Sequence, residues 1–184
     1  MISTEIELKH ILTLEKSFYI SSNYKDFLVN WFCNEKFNAI WIYIKFLRKT
    51  EFHYNNSQKN VFHSFEYLFY RRLKNKTGLK LGIEIWENSF DKGLKIHHAG
   101  NIIVNGMARI GINCQLHGSN CIGNDGKSLK APIIGDNVEI GVGAKIIGDV
   151  FIANNIKIGA GAIVISSFYE NGITIAGVPA KKVK

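Results

Sequence analysis

Proline is almost missing from this chain, with two in 184 residues, and cysteine is scarce, with three. Cys33, Cys114 and Cys121 are too few to staple a small fold, so a disulfide scaffold is excluded and a reducing compartment suits the chain. No apolar run approaches the roughly 18 residues that a membrane-spanning helix needs. The most apolar stretch, residues 37–47, is short and carries Lys45. The start of the chain lacks a basic segment followed by an apolar one, so no secretory signal is read there and a cytoplasmic location is expected. Glycine is absent until Gly78 and frequent afterwards. At 46% hydrophobic and 21% charged, the chain has enough apolar material for a core, which excludes a disordered protein.

The formal net charge is +8. Residues 1–80 hold 13 Lys/Arg against 7 Asp/Glu, and residues 81–184 hold 10 against 8, so the excess sits mainly in the first part. There it alternates with Asp26, Glu51 and Glu66, the pattern of a solvated helical surface. Attraction to an anionic partner, such as an acidic glycan, a lipid headgroup or a phosphate group, is the other reading. A nucleic-acid partner is not expected, and neither is membrane association.

The first part reads as α-helical. From Asn23 to Lys49 apolar residues recur as Phe27, Leu28, Trp31, Phe32, Phe37, Ile40, Trp41, Ile44 and Leu47, close to helical spacing. A second helix is predicted from Ser57 or Asn60 to Lys76, with Phe62, Phe65, Leu68, Phe69 and Leu73. Gly78 suits its end, and Arg71, Arg72, Lys74 and Lys76 suit the negative end of its dipole. The polar stretch from Thr50 to Gln58 reads as the connection. The aromatics are expected in a core or an oligomer contact rather than around a ligand.

The second part is a repeat. Stepping by six from Val104 reaches Ile110, Leu116 and Ile122, then Ile134, Ile140, Ile146, Ile152, Ile158 and Val164, all aliphatic. Glycine often follows, at 111, 123, 135, 141 and 159. Four places after the aliphatic comes a mostly small or β-branched residue: Ala108, Cys114, Val138, Ala144, Val150 or Ala162. A period of six fits a parallel β-helix of triangular section. Three short strands make one 18-residue coil, the aliphatic points inward, and stacked coils satisfy one another's backbone at about 4.8 Å per layer. The phase breaks only between Ile122 and Ile134, where residues 123–132 are expected to loop out of the prism, a place where function often sits.

These hexapeptide repeats resemble the left-handed β-helix acyltransferases, and more narrowly the serine acetyltransferase branch. The resemblance rests on Gly82-Ile83-Glu84-Ile85, residues 93–100 (Gly-Leu-Lys-Ile-His-His-Ala-Gly), Ile140-Gly141-Val142-Gly143-Ala144-Lys145, Ile158-Gly159-Ala160-Gly161-Ala162 and Ala176-Gly177-Val178-Pro179-Ala180. It implies a mainly β fold, a left-handed parallel β-helix over 79–184 preceded by an α-helical region over 1–78. It also implies acetyl transfer from acetyl-CoA as co-substrate.

Acetyl transfer to a hydroxyl needs a base near neutral pKa, donors for the developing oxyanion and a slot for the thioester. Histidine is the usual base. The resemblance sets His98 on the family's base and His97, a substrate contact, on the aspartate beside it. Glu84 falls where a carboxylate orients the base, a role that fixes an imidazole's tautomer. His117, following inward Leu116, is the rival base. Histidines 97, 98 and 117 lack the spacing of a β-helix metal site, so no metal is expected. For CoA, the resemblance points to Val142 and Ala160, one coil apart, and to Gly123 and Asn124 at the base of the loop. Lys181, Lys182 and Lys184 are candidates for its phosphates. Transfer is expected to be direct, and Cys114 and Cys121 are expected to fill coil corners.

The chain also departs from the branch. Where serine acetyltransferases carry an Arg-His pair for the amino-acid carboxylate, it has Lys130, a candidate substrate contact, and Ala131. With His97 in place of the aspartate, part of the expected serine site is missing. The His97-His98 pair resembles that of short acetyltransferases of surface polysaccharide assembly, and this resemblance tips the reading towards a hydroxyl on a saccharide of surface polysaccharide synthesis. A serine O-acetyltransferase of cysteine biosynthesis is the alternative, and a non-catalytic assembly module the third reading. A homotrimer or hexamer is expected, with the site between subunits.

Overall fold

The computed structural model describes residues 1–21, 23–33 and 36–183, except the side chains at 24, 27, 30 and 31 within a helix. Phe27, Trp31 and Lys184, named above, therefore lie outside the described groups. The chain divides into two compact units, Met1–Gly82 and Ile83–Lys184.

The first unit holds four helices: α1 (Glu5–Lys16), α2 (Tyr24–Phe32), α3 (Lys36–Asn56) and α4 (Val61–Leu81). α1 starts in a capping box, in which Thr4 accepts from the Glu7 amide and the Glu7 carboxylate accepts from the Thr4 amide. The single helix expected over 23–49 is instead α2 and α3, with a turn at Cys33. The connection expected over 50–58 is also corrected, because α3 runs on to Asn56. The polar residues there are the helix's inner face. Arg48, Thr50, Glu51 and Asn56 are all buried, and the Thr50 hydroxyl donates to the Phe46 carbonyl. Gly78 lies inside α4, not at its end. The cap is Gly82, whose left-handed φ of 65° turns the chain away while its N–H donates to the Gly78 carbonyl. Ile40, Ile44 and Leu47 are buried as the spacing implies. Phe62, Phe65, Leu68 and Phe69 on α4 are exposed within this unit.

The second unit is a stack of short, mostly parallel strands in three sheets. The first face holds Ile83–Ile85, Ile102–Val104, Cys121–Gly123, Lys145–Ile147 and Ile163–Val164. The second holds Arg109–Ile110, Ile133–Ile134 and Phe151–Ile152. The third holds Lys95–Ile96, Gln115–Leu116, Glu139–Ile140, Lys157–Ile158, Thr174–Gly177 and the antiparallel Ala180–Lys182. The chain visits the faces in turn, so each strand pairs with one a coil away. Leu116 pairs with Ile140 and Ile140 with Ile158. The register step is 18 residues from Glu139 to Lys157, and 24 from Gln115 to Glu139 because residues 124–132 leave the coil as a loop. The extra six residues keep the inward phase intact.

All ten aliphatics of the six-residue phase are buried, as are the six small or β-branched residues four places on. Burial of each large aliphatic contributes about 1.5–3 kcal/mol. Asn120 stands in one of those inner positions. Its Oδ1 accepts from the Gly118 amide at 2.9 Å and its Nδ2 donates to the Gly141 carbonyl at 2.8 Å, so its polarity is satisfied. Cys114 fills an inner position as expected. Cys121 does not, because it lies on a strand of the first face with its side chain outward of Ile122. The coil turn from the second face to the third carries Asn113, Asn137 and Asn155, all left-handed at φ 56°, 54° and 58°. Their amides form a ladder, Asn113 to Asn137 at 3.3 Å and Asn137 to Asn155 at 3.2 Å.

Candidate functional site

The edge where the third face turns into the first gathers several of the expected residues. On the third face the residue after each inward aliphatic forms an outward row: His97, His117, Gly141, Gly159 and Ala176, with Lys181 paired to Ala176 at its end. One position further along lie His98, Gly118, Val142, Ala160 and Gly177. The stacking is direct. A Cβ on Gly118 would stand 3.2 Å from the His98 Cβ, the Gly143 amide donates to the Gly118 carbonyl, and the Gly161 amide donates to the Val142 carbonyl. At one coil per 4.8 Å, Val142 lies about 10 Å and Ala160 about 14 Å from His98 along this edge. His98, Val142 and Ala160 are all exposed.

Glycine opens the groove beside them. A Cβ at Gly141 would stand 2.7 Å from the Ala160 nitrogen and the Ile158 oxygen, and one at Gly159 2.9 Å from the Ala176 Cβ. The backbone strip is bare because no side chain fits there. An extended chain laid along the edge therefore meets Ala160, Val142 and Gly118 before it reaches an imidazole.

The imidazoles at the lower end are ordered. The rings of His97 and His117 stack at 4.2 Å between centroids and 15° between planes. His97 Nε2 is 2.8 Å from Gln115 Oε1. His117 Nε2 lies 3.0 Å from Glu139 Oε1 without the alignment of a hydrogen bond, and Glu139 Oε2 is 3.7 Å from Lys157 Nζ. Burial pushes His97 below the ordinary imidazole pKa. The Gln115 bond opposes this, while His117, Lys95 and His98 add to it. Sequence reasoning missed Gln115 and Glu139. Their outward register beside the histidines was the available signal.

Glu84 sits on the first strand of the first face, exposed, with Oε1 accepting from Trp86 Nε1 at 3.3 Å. Gly123, Asn124 and Lys130 lie at a different edge, where the first face turns into the second and the loop emerges. Asp125 ties the loop by accepting from the Lys127 and Ser128 amides, which hold its carboxyl below the usual range. Lys130 Nζ donates to Asp149 Oδ2 at 2.6 Å, an exposed pair that raises the lysine's pKa. One chain thus brings together His97, His98, His117, Val142, Ala160 and Lys181. It leaves the loop residues on another edge. Lys182 is paired with Glu170 at 2.7 Å. Among the described residues no group of three or more His, Cys, Asp or Glu side chains is gathered for a metal, and no helix is long and apolar enough to cross a membrane.

No protein-family profile matches the chain. A serine acetyltransferase of Staphylococcus xylosus is 33% identical over 122 residues, which is 65% of this chain and 56% of that protein. The chain thus spans little more than half of that relative's length. Among solved structures, a serine acetyltransferase of Neisseria gonorrhoeae in complex with serine superposes with a TM-score of 0.71 at 26% identity. The match covers 98% of this chain and 70% of that one. The Brucella abortus serine acetyltransferase superposes at 0.74 with 22% identity, over 97% and 70%. By sequence and by fold, the chain is similar to the serine acetyltransferases.

Proposed function

We propose that this chain is an acetyl-CoA-dependent O-acetyltransferase with a left-handed β-helix over 79–184 as its catalytic part and an α-helical region over 1–78. The observation that carries this is the single edge on which His98 lies in line with Gly118, Val142 and Ala160, beside a strip bared by Gly141 and Gly159. The pantetheine arm of acetyl-CoA lies along that strip. Lys181 meets the phosphate end and the thioester reaches His98.

His98 takes the proton of the acceptor hydroxyl as the oxygen attacks the thioester carbonyl. The carbon–sulfur bond breaks, and the CoA sulfur leaves and takes a proton. Glu84 orients the base, and His97 contacts the acceptor. Gly123, Asn124 and Lys130 belong to the same site only when contributed across a subunit contact, because in one chain they lie at another edge. A homotrimer with shared sites satisfies this arrangement, and no resident metal takes part.

The acceptor we favour is L-serine. The relatives compared are named serine acetyltransferases, and this outweighs the preference for a saccharide drawn from the sequence. Lys130 keeps a cation where an amino-acid carboxylate is to be held. A saccharide hydroxyl of surface polysaccharide synthesis is the second reading, favoured by His97 and Ala131 in place of the expected polar residues.

The test is thiol release from acetyl-CoA by the purified chain, with L-serine against a panel of nucleotide sugars and oligosaccharides. Turnover with serine, lost in His98→Ala, is expected. Turnover with a sugar alone moves the acceptor to the second reading. Activity surviving His98→Ala overturns the assignment of the base.

A further inference from the structure

Three residues beside the proposed base have no role yet: Gln115, His117 and Glu139. They form one continuous set with His97 on the outer third face. Gln115 Oε1 can only accept, so the 2.8 Å contact makes His97 Nε2 the donor. Burial favours the neutral ring. A neutral ring with its proton on Nε2 presents a lone pair at Nδ1. The remaining freedom, rotation of the ring plane, is removed by the His117 ring stacked on it at 4.2 Å. His117 is itself held, with Glu139 Oε1 3.0 Å from Nε2 and Lys157 on the other carboxylate oxygen. Each partner comes from a neighbouring coil, so the rigid stacking of the prism passes directly to the imidazole beside His98.

We infer that His117 and Glu139 are positioning residues that fix His97, by ring stacking and by an anchored imidazole, so that His97 Nδ1 accepts a hydrogen bond from the acceptor next to the base. This inference rests on the acetyl-transfer reading of the same edge. It also takes His117 Nε2 out of contention as a base, because that atom is turned to Glu139 and one face of the ring is covered by His97. The acceptor class that fits is one that donates to a neutral nitrogen, an ammonium or a second hydroxyl adjacent to the reacting one.

The test compares the full chain with His117→Ala, Glu139→Ala and His117→Phe, which keeps a flat ring for stacking. His117→Ala and Glu139→Ala are expected to raise KM for the acceptor about tenfold or more. KM for acetyl-CoA is expected to stay unchanged, and kcat to fall by less than the acceptor KM rises. His117→Phe is expected to recover most of the acceptor KM. A collapse of kcat at unchanged acceptor KM makes His117 the base and overturns the inference. An unchanged acceptor KM in both alanine variants overturns it too.

Long-range proton–nitrogen NMR of the imidazoles gives a second readout that needs no turnover. His97 is expected as a single Nε2–H tautomer in the unmodified chain and as a mixture in His117→Ala. If no acceptor turns over, the acetyl-transfer reading fails by itself. The tautomer signals still decide the positioning, because a mixture in the unmodified chain, or no change in His117→Ala, refutes it.

Discussion

Arg48 is a fully buried cation in the helical unit. Its guanidinium donates from Nε and Nη2 to the two oxygens of Glu15, at 3.0 and 2.7 Å, and from Nη1 to Glu51 at 2.8 Å. The two carboxylates keep it charged against the cost of burial. Removing the cation strands two buried carboxylates, so Arg48→Ala is expected to destabilise the chain by about 3–5 kcal/mol, read as a drop in the urea midpoint. His53 shows the opposite balance. Its Nδ1 meets His63 Nδ1 at 3.0 Å, its ring stacks on Tyr70, and burial lowers its pKa, with Glu66 opposing and His63 and Lys49 adding. A histidine whose folded pKa lies below its unfolded value of about 6.5 binds fewer protons when folded. Its contribution is full above 6.5 and is lost as the pH falls below it. Urea midpoints are therefore expected to drop between pH 7.5 and 5.5, and to drop less in His53→Phe. In the β unit the Cys114 thiol is pushed up to about 12 by burial, so exposed Cys33 and not Cys114 is expected to react with a thiol reagent in the native state.

At the scale of elements, the asparagine ladder locks the turns between the second and third faces. Asn tolerates the left-handed conformation that other side chains resist, and here it also bonds to the coils on either side. Asn137→Ala keeps the strained φ and loses both rungs. A loss of about 1–2 kcal/mol is expected, measured as a lower thermal midpoint. The six-residue phase was fully legible, since each of its positions alternates with outward residues on a strand of two or three residues. The helical boundaries were less so. Residues 50–56 look like a loop because they are polar, yet Arg48, Thr50, Glu51 and Asn56 are polar on the buried side, satisfied by partners that a linear reading cannot supply. The start of α1 was marked by Thr4 and Glu7, a signal the apolar periodicity does not contain. The aromatic row of α4 shows the reverse, with Phe62, Phe65 and Phe69 apolar by composition and uncovered within their unit.

At the scale of the whole molecule, the division of the candidate site residues between two edges has a direct consequence. If Lys130 of one subunit serves His98 of another, two inactive variants complement each other. His98→Ala and Lys130→Ala, unfolded and refolded together, are expected to regain roughly a quarter of the activity through mixed assemblies with some intact sites. Separate refolding is expected to regain none. No recovery on mixing would place the whole site on one chain.

How the site could be read follows the same division. That His98, Val142 and Ala160 share one edge was legible because their positions are set by the repeat: once the register is known, an 18-residue spacing is a vertical neighbour. The contacts of Gln115 and Glu139 were not, because they depend on which imidazoles lie one coil away. Lys130 was named from the chain, but its Asp149 partner and its place on another edge belong to the fold. What the sequence determined by itself was the architecture, because burying an aliphatic every sixth residue admits few arrangements and the backbone pairing then follows. What only the tertiary structure decided was how side chains far apart in the chain meet. The His97–His117 stack and the Arg48–Glu15–Glu51 cluster form because coils and helices bring distant residues within a few ångströms, where charge, burial and ring packing act.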